Sequence, residues 1–205
     1  ENIREIEWLE IDEVSRTIKI KQGEWDIRKS LVFPSGYLVT MSEGTRLNLY
    51  DNASIISKSR VKWVAVDGHK PIIITSPDLS GHGVFVQGAK ERSELHNVHF
   101  SNLSAPKLSN SLLSGAVTFY QSDVTINSAL VKQNRSGDDY LNIIRSDLDI
   151  KKSNFSNVLF DAIDMDFSTG SMQDVSFIKI GNDAIDVSGS EVKANNIIMS
   201  DIGDK

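Results

Sequence analysis

The sequence predicts an all-β protein, a right-handed parallel β-helix in which coils of about 22 residues stack on one another. Two observations predict this fold. Three units that open at Asp139, Asp161 and Asp183 repeat every 22 residues in the last third of the chain. Within each unit apolar and polar residues alternate, which is the period of a strand. One unit of this length cannot bury its own apolar face, so each coil must lie on the next.

The three units agree column by column in chemistry, and residues 115–205 carry the clearest repeats. Four apolar columns contain Leu141, Ile163 and Ile185; Ile143, Met165 and Val187; Ile150, Met172 and Ala194; and Phe155, Phe177 and Met199. A polar column contains Ser122, Ser146, Ser168 and Ser190. We expect the serines to form a hydrogen-bonded ladder at a bend of each coil, because buried polar groups need partners.

The earlier part of the chain contains short β-branched segments separated by Gly, Pro, Asn and Asp, which fits the same fold. We expect residues 1–205 to form a single domain of eight or nine coils. Residues 2–14 are the best helical candidate, and a short helix within residues 1–20 would cap the first coil. Lys205 falls in the column of Asp183, so we expect the native chain to continue beyond it, or another subunit to cover the open coil by end-to-end contact.

Composition limits the classes of partner and site. The chain has no cysteine, which excludes disulfides and thiolate metal sites, and a net charge of −6. That charge disfavours nucleic acid and anionic lipid as partners. No apolar stretch approaches the roughly 18 residues of a membrane-spanning helix. The chain begins at Glu1 without a signal-peptide pattern, so we interpret it as a processed or excised part of a longer protein.

Two segments carry a resemblance to known families. Residues 23–76, GEWDIRKSLVFPSGYLVTMSEGTRLNLYDNASIISKSRVKWVAVDGHKPIIITS, resemble the opening coils of bacterial β-helix proteins in the pectate-lyase-like superfamily. The last 90 residues, including FDAIDMDF and GNDAIDVSGS, resemble the β-helix region that accompanies CotH-type kinase-like domains in bacterial surface proteins. The resemblance implies a secreted or cell-surface protein with a carbohydrate or a cell-surface protein as its partner.

An acidic column is the best candidate for a site. Asn142, Asp164 and Asp186 occupy one position on three successive coils, and their alternation with inward residues predicts that they point outward. Asp166 lies on the same face as Asp164. Stacking would bring these side chains to about 5 Å from one another, so their repulsion must be relieved by a cation, by raised pKa values or by solvent.

Three interpretations of this column stay open. Oxygen ligands suit Ca²⁺, with Asp164 and Asp186 as the candidate ligands. Carboxylate pairs also suit glycoside hydrolysis, and the DAID and GNDAIDVSGS segments resemble the Asp-bearing coils of polygalacturonase-type glycosidases. That resemblance implies Asp161 or Asp164, together with Asp183, as the catalytic acid and base. The third interpretation is a solvated row of aspartates.

Two further residues beside the column complete the candidate binding set. Tyr140 precedes the column and is the preferred surface aromatic for stacking on a sugar ring. Arg145 lies beside the column and is available to an acidic glycan or as a lyase base. The sequence therefore favours a non-catalytic extracytoplasmic module that provides a rigid display or binding surface for carbohydrate. The alternative is a polysaccharide-active lyase or glycosidase that uses the Asp column.

Overall fold

The computed structural model describes residues 3–108 and 111–204. Within these residues the chain forms a parallel β-solenoid of about eight turns and contains no helix. It therefore has no helix in this part that is long and apolar enough to cross a membrane. The predicted parallel β-helix of 22-residue coils is confirmed.

Each coil contributes strands to three faces of the solenoid. The first face contains β2 (Thr17–Ile20), β5 (Leu38–Ser42), β8 (Arg60–Val64), β11 (Ser93–His96), β16 (Val124–Asn127) and β19 (Asp147–Lys151). The second face contains β3 (Glu24–Ile27), β6 (Arg46–Leu49), β9 (Ile72–Thr75), β12 (Val98–Ser101), β17 (Leu130–Lys132) and β20 (Asn154–Val158). The third face contains β4 (Leu31–Phe33), β7 (Ile55–Ser57), β10 (Val84–Gln87), β15 (Gly115–Tyr120), β18 (Asp139–Ile144), β21 (Asp161–Asp166) and β23 (Ile185–Ser188). Two long strands, β22 (Thr169–Ile180) and β24 (Glu191–Ile202), run through the corner between the first and second faces.

The register between coils reproduces the predicted columns. Leu141 pairs with Ile163, and Ile163 pairs with Ile185 on the next coil. Phe155 pairs with Phe177, and their rings stack with centroids 5.3 Å apart. Because these inward residues lie directly above one another, the core is one continuous apolar column along the axis of the solenoid.

The serine column forms the expected ladder. The amide of Ser122 donates to Ser146 Oγ at 2.8 Å, that of Ser146 to Ser168 Oγ at 3.1 Å, and that of Ser168 to Ser190 Oγ at 2.8 Å. Each hydroxyl accepts from the coil below, so the ladder satisfies backbone donors that a bend removes from sheet pairing.

The corners rely on left-handed residues that recur once per coil. At the corner from the third to the first face, Arg145 has φ of 50° and Phe167 has φ of 49°. At the corner from the second to the third face, Lys179 has φ of 59° and Asp201 has φ of 60°. A left-handed residue turns the chain sharply between strands, and its recurrence in consecutive coils keeps those coils equal in length.

The N-terminal cap differs from the prediction, because the expected helix in residues 2–14 is wrong. β1 (Leu9–Asp12) pairs antiparallel with β2 to form a hairpin over the first coil. The carboxylate of Asp12 accepts hydrogen bonds from the amides of Val14 and Ser15, which forms a turn instead of a helical continuation. Trp8 stacks on Trp25 with centroids 5.5 Å apart, so aromatic rings cover part of the first coil.

Insertions at the corners explain why the early repeat is hard to read. Leu148 and Gly170 on the first face are 22 residues apart in the pairing register, whereas Lys62 and Glu94 are 32 apart. The fourth coil also carries a small hairpin of β13 (Lys107–Leu108) and β14 (Ser111–Leu112). The strands keep their stacking because the additional residues lie only in corner loops.

At the other end, the last described coil exposes apolar side chains. Val187 is 42% exposed, Ile198 59% and Met199 47%. Lys205, on which the expected continuation of the chain depended, lies outside the described residues. The end-to-end contact through this coil stays a prediction.

Candidate functional site

The acidic column lies on the outer side of the third face. Thr118, Asn142, Asp164 and Asp186 pair in register on β15, β18, β21 and β23. The sequence places them there because inward residues such as Ile163 and Met165 flank them on the strand. The predicted stacking of Asn142, Asp164 and Asp186 is therefore confirmed.

Burial changes along this column, which the sequence did not predict. Asn142 is only 1% exposed, Asp164 is half-buried and Asp186 is exposed. Asn142 is covered because Ser114 and Gly115 lie against it, and its Nδ2 donates to Ser114 Oγ at 2.8 Å. The expectation that Asn142 faces solvent is wrong, since the segment that follows the inserted hairpin covers this position.

Asn142 joins two carboxylates into one cluster. Its Nδ2 donates to Asp139 Oδ2 at 2.7 Å and to Asp164 Oδ2 at 2.9 Å. Its buried Oδ1 has no hydrogen-bond partner among the described residues. Asp139 is 3% exposed, so the two carboxylates that share this amide lie in a partly desolvated environment.

The protonation of Asp164 reflects that environment. Desolvation is the largest cause of a pKa of Asp164 that is raised from 3.8 to about 7. The negative charges of neighbouring carboxylates, above all Asp139 and Asp166, raise the pKa further. Burial also raises the pKa of Asp139, although hydrogen bonds from Asn142 and Ser114 oppose that shift.

A second group of carboxylates lies at the adjoining corner. Asp161 Oδ1 accepts from Asn182 Nδ2 at 2.7 Å and from the amide of Asp183 at 2.9 Å. Asp161, Asp183 and Asp186 each offer an oxygen atom, and these oxygens lie within 4.8 Å of one another. These three residues could hold a cation. They differ from the predicted pair because Asp164 is bound to Asn142 instead.

Cationic side chains do not neutralise most of this cluster. Among the described residues, Asp139, Asp161, Asp164, Asp166 and Asp186 form no ion pair with lysine or arginine. Protons, solvent ions or a ligand must therefore reduce their mutual repulsion.

The structure overturns the role of Tyr140. Its side chain is fully buried, and its hydroxyl donates to the carbonyl of Lys132 at 3.1 Å. It lines the core beside Phe100, Val117 and Phe155 and is not available to a sugar ring. The signal was present in the sequence, because Tyr140 is in the same column as Ala162 and Ala184, which are both buried.

Arg145 is exposed at the corner that follows β18, beside the acidic column in sequence. Its backbone amide donates to the carbonyl of Asp166 at 2.9 Å, and its guanidinium makes no ion pair among the described residues. Asp139 is the cluster member that the sequence interpretation missed as a site residue. Its position at the head of a repeat, like Asp161 and Asp183, was the available signal.

The arrangement can bind a cation or hydrogen-bond a polar ligand, and Asp164 could donate a proton. The two open depressions that the structure provides lie elsewhere, one at a corner of the first three coils and one beside His82 and Lys107. Neither is lined by a member of the acidic cluster. The carboxylates thus lie on an open sheet face.

Comparisons with protein-family models, with curated proteins and with solved structures find no match. The pectate-lyase-like and CotH resemblances therefore have no support from a family match, and the parallel β-solenoid is what the structure establishes.

Proposed function

We propose that this chain is a non-catalytic, extracytoplasmic β-solenoid module whose third face provides a rigid binding surface for carbohydrate. The observation that carries the proposal is the fixed acidic cluster on an open face. Asn142 holds Asp139 and Asp164, while Asn182 and a backbone amide hold Asp161. Side chains fixed in this way lose little entropy when a ligand binds, and their oxygens accept hydrogen bonds from sugar hydroxyls.

A rigid support is the second requirement, and the fold meets it. The carboxylates lie on strands that are hydrogen-bonded on both sides within the stack, from β15 to β23. The serine ladder ties the adjacent corner of every one of these coils. The extracytoplasmic location rests on the sequence resemblance alone.

The test separates binding from turnover. A panel of neutral and acidic oligosaccharides is titrated by calorimetry, and the same polymers are assayed for new reducing ends and for unsaturated products. We expect saturable binding without cleavage, weakened in Asp186→Asn and retained in the control Asp26→Asn on the second face. Cleavage that disappears in Asp164→Asn would refute a non-catalytic module.

A polysaccharide-active enzyme is the second candidate, and one observation favours it. Asp164, protonated near neutral pH, lies among other carboxylates. A protonated and an ionised carboxyl group side by side are the components of general acid catalysis in glycosidases. A glycosidase requires cleavage with a pH profile that falls above the pKa of Asp164, and a lyase requires unsaturated products.

A further inference from the structure

The largest enclosed hollow described above lies far from the acidic cluster in sequence, at the corner that joins the third face to the first face. We call it the corner recess, and we define it by Arg16, Tyr37, Lys58, Arg60, Lys90 and Glu91. Its volume is about 410 Å³, which is in the range of sites that hold small molecules.

Loop lengths create this recess. The corner after β4 has four residues, 34–37, and the corner after β10 has five, 88–92. The corner between them, after β7, has only Lys58 and Ser59. Since two longer loops flank a short one in a stack of coils, the short corner becomes a floor and the long loops become walls. The turn of the N-terminal hairpin closes one side with Ser15 and Arg16.

The floor is fixed by buried serines. Ser59 is 3% exposed, and its Oγ donates to the carbonyl of Pro34 at 2.6 Å while accepting from the amide of Tyr37 at 2.8 Å. Ser57 Oγ donates to the carbonyl of Ser59 at 2.6 Å and accepts from its amide at 3.1 Å. One wall is thus attached directly to the floor, so the shape of the recess does not depend on a ligand.

The charge of the recess is opposite to that of the whole chain. Four cationic side chains and one carboxylate line it, although the net charge of the protein is −6. Arg60 pairs with Glu91 at 2.7 Å, and Arg16 pairs with Glu13 at 3.5 Å. Among the described residues, Lys58 and Lys90 form no ion pair. Two ammonium groups on adjacent corners are therefore available to an anion.

Hydroxyl groups complete the lining. Ser15 and Ser35 are exposed at the rim. The Tyr37 hydroxyl accepts from Arg16 Nη1 at 3.1 Å and donates to Glu13. The ring of Tyr37 also lies 5.3 Å from the Arg16 guanidinium, so this aromatic wall is held in place from two directions.

We propose that the corner recess binds a small oxyanion, the carboxylate, sulfate or phosphate group of a compact hydroxyl-bearing ligand, between the ammonium groups of Lys58 and Lys90. The fixed floor limits the ligand to a compact group, and the rim serines provide hydrogen bonds to its hydroxyls. This site is independent of the acidic third face, and its test does not depend on the function proposed for that face.

The experiment follows backbone amide shifts by NMR while glucuronate, sulfate or inorganic phosphate replaces chloride at constant ionic strength. We expect saturable shifts confined to Gly36, Ser59, Gly88 and their neighbours, and the relative affinities of the three anions identify the source of the oxyanion. The double variant Lys58→Gln/Lys90→Gln should raise Kd about tenfold or more, because a charge-assisted hydrogen bond contributes at least that factor.

Two control variants make the result decisive. Lys58→Arg/Lys90→Arg keeps both charges and should retain binding, and Lys29→Gln removes an exposed lysine outside the recess and should leave Kd unchanged. Both recess lysines are exposed, so the spectra should otherwise remain those of the folded protein. Shifts that do not saturate with any of the three anions, or a Kd unchanged in the double Gln variant, would overturn the proposal.

Discussion

Replacing Asp164 by asparagine should stabilise the protein at neutral and alkaline pH. In the folded state the pKa of Asp164 is raised from 3.8 to about 7, by desolvation first and by neighbouring carboxylates second. The stability contributed by its protonated form is fully present below pH 3.8 and is lost as the pH rises through 7. The variant carries a neutral amide at all pH values, and Asn142 already shows that an amide fits this column.

The magnitude follows from the size of the shift. About three pKa units correspond to roughly 4 kcal/mol at 1.36 kcal/mol per unit. Asp164 is only half-buried, and solvent screening reduces this value to about 1–2 kcal/mol. For a chain of this length that difference raises the unfolding midpoint by about 3–6 °C.

The assay is chemical denaturation of the parent and of Asp164→Asn from pH 4 to pH 8. We expect the two curves to converge at pH 4 and to separate in favour of the variant above pH 7. Asp26→Asn, which removes an exposed carboxylate outside the cluster, controls for the change in net charge. A variant that is less stable than the parent at pH 8 would show that the carboxylate is held by contacts stronger than its desolvation cost. Carboxyl NMR of Asp164 reports its titration directly.

Three further perturbations test the ladder, the corners and the acidic cluster. Ser168→Ala removes the buried acceptor of the Ser146 amide and should cost about 1–3 kcal/mol by denaturation, whereas a loss below 0.5 kcal/mol (roughly) would mean that water replaces it. Lys179→Gly relieves a φ of 59° and should stabilise by about 0.5–1 kcal/mol, while the control Lys193→Gly in β24 should destabilise. If Asp161 and Asp183 hold Ca²⁺, CaCl₂ should raise the unfolding midpoint more than NaCl at equal ionic strength, and Asp183→Asn should remove the difference. Equal midpoints in the two salts would leave screening alone as the explanation.

The fold was predictable wherever consecutive coils are equal in length. From Asp139 onward every column read from the sequence corresponds to a pairing between coils, such as Asn142 with Asp164. The reason is that stacking forces equivalent residues into equivalent environments, so burial becomes visible as a repeat. The N-terminal hairpin was not predictable in this way, since the apolar spacing of residues 2–14 fits either period and the Asp12 turn decides between them.

The site was only partly predictable for a related reason. The sequence places Asp164 and Asp186 in one column but does not reveal what lies over it. Ser114 and Gly115 cover Asn142, and this contact depends on the path of an inserted loop. The corner recess was invisible to the repeat because it arises from unequal loop lengths, to which the apolar pattern of the strands is insensitive.

The left-handed corners and the fixed register make the coil a unit of length. Residues 161–182 comprise one such unit, bonded to equivalent positions 22 residues before and after it. An in-frame duplication of this segment would add about 4.8 Å to the rod while preserving every ladder. A single added residue within a strand would instead exchange its inward and outward sides. The protein can therefore serve as a molecular ruler, whose span changes by gene duplication in whole steps, while its corner loops diverge without altering that span.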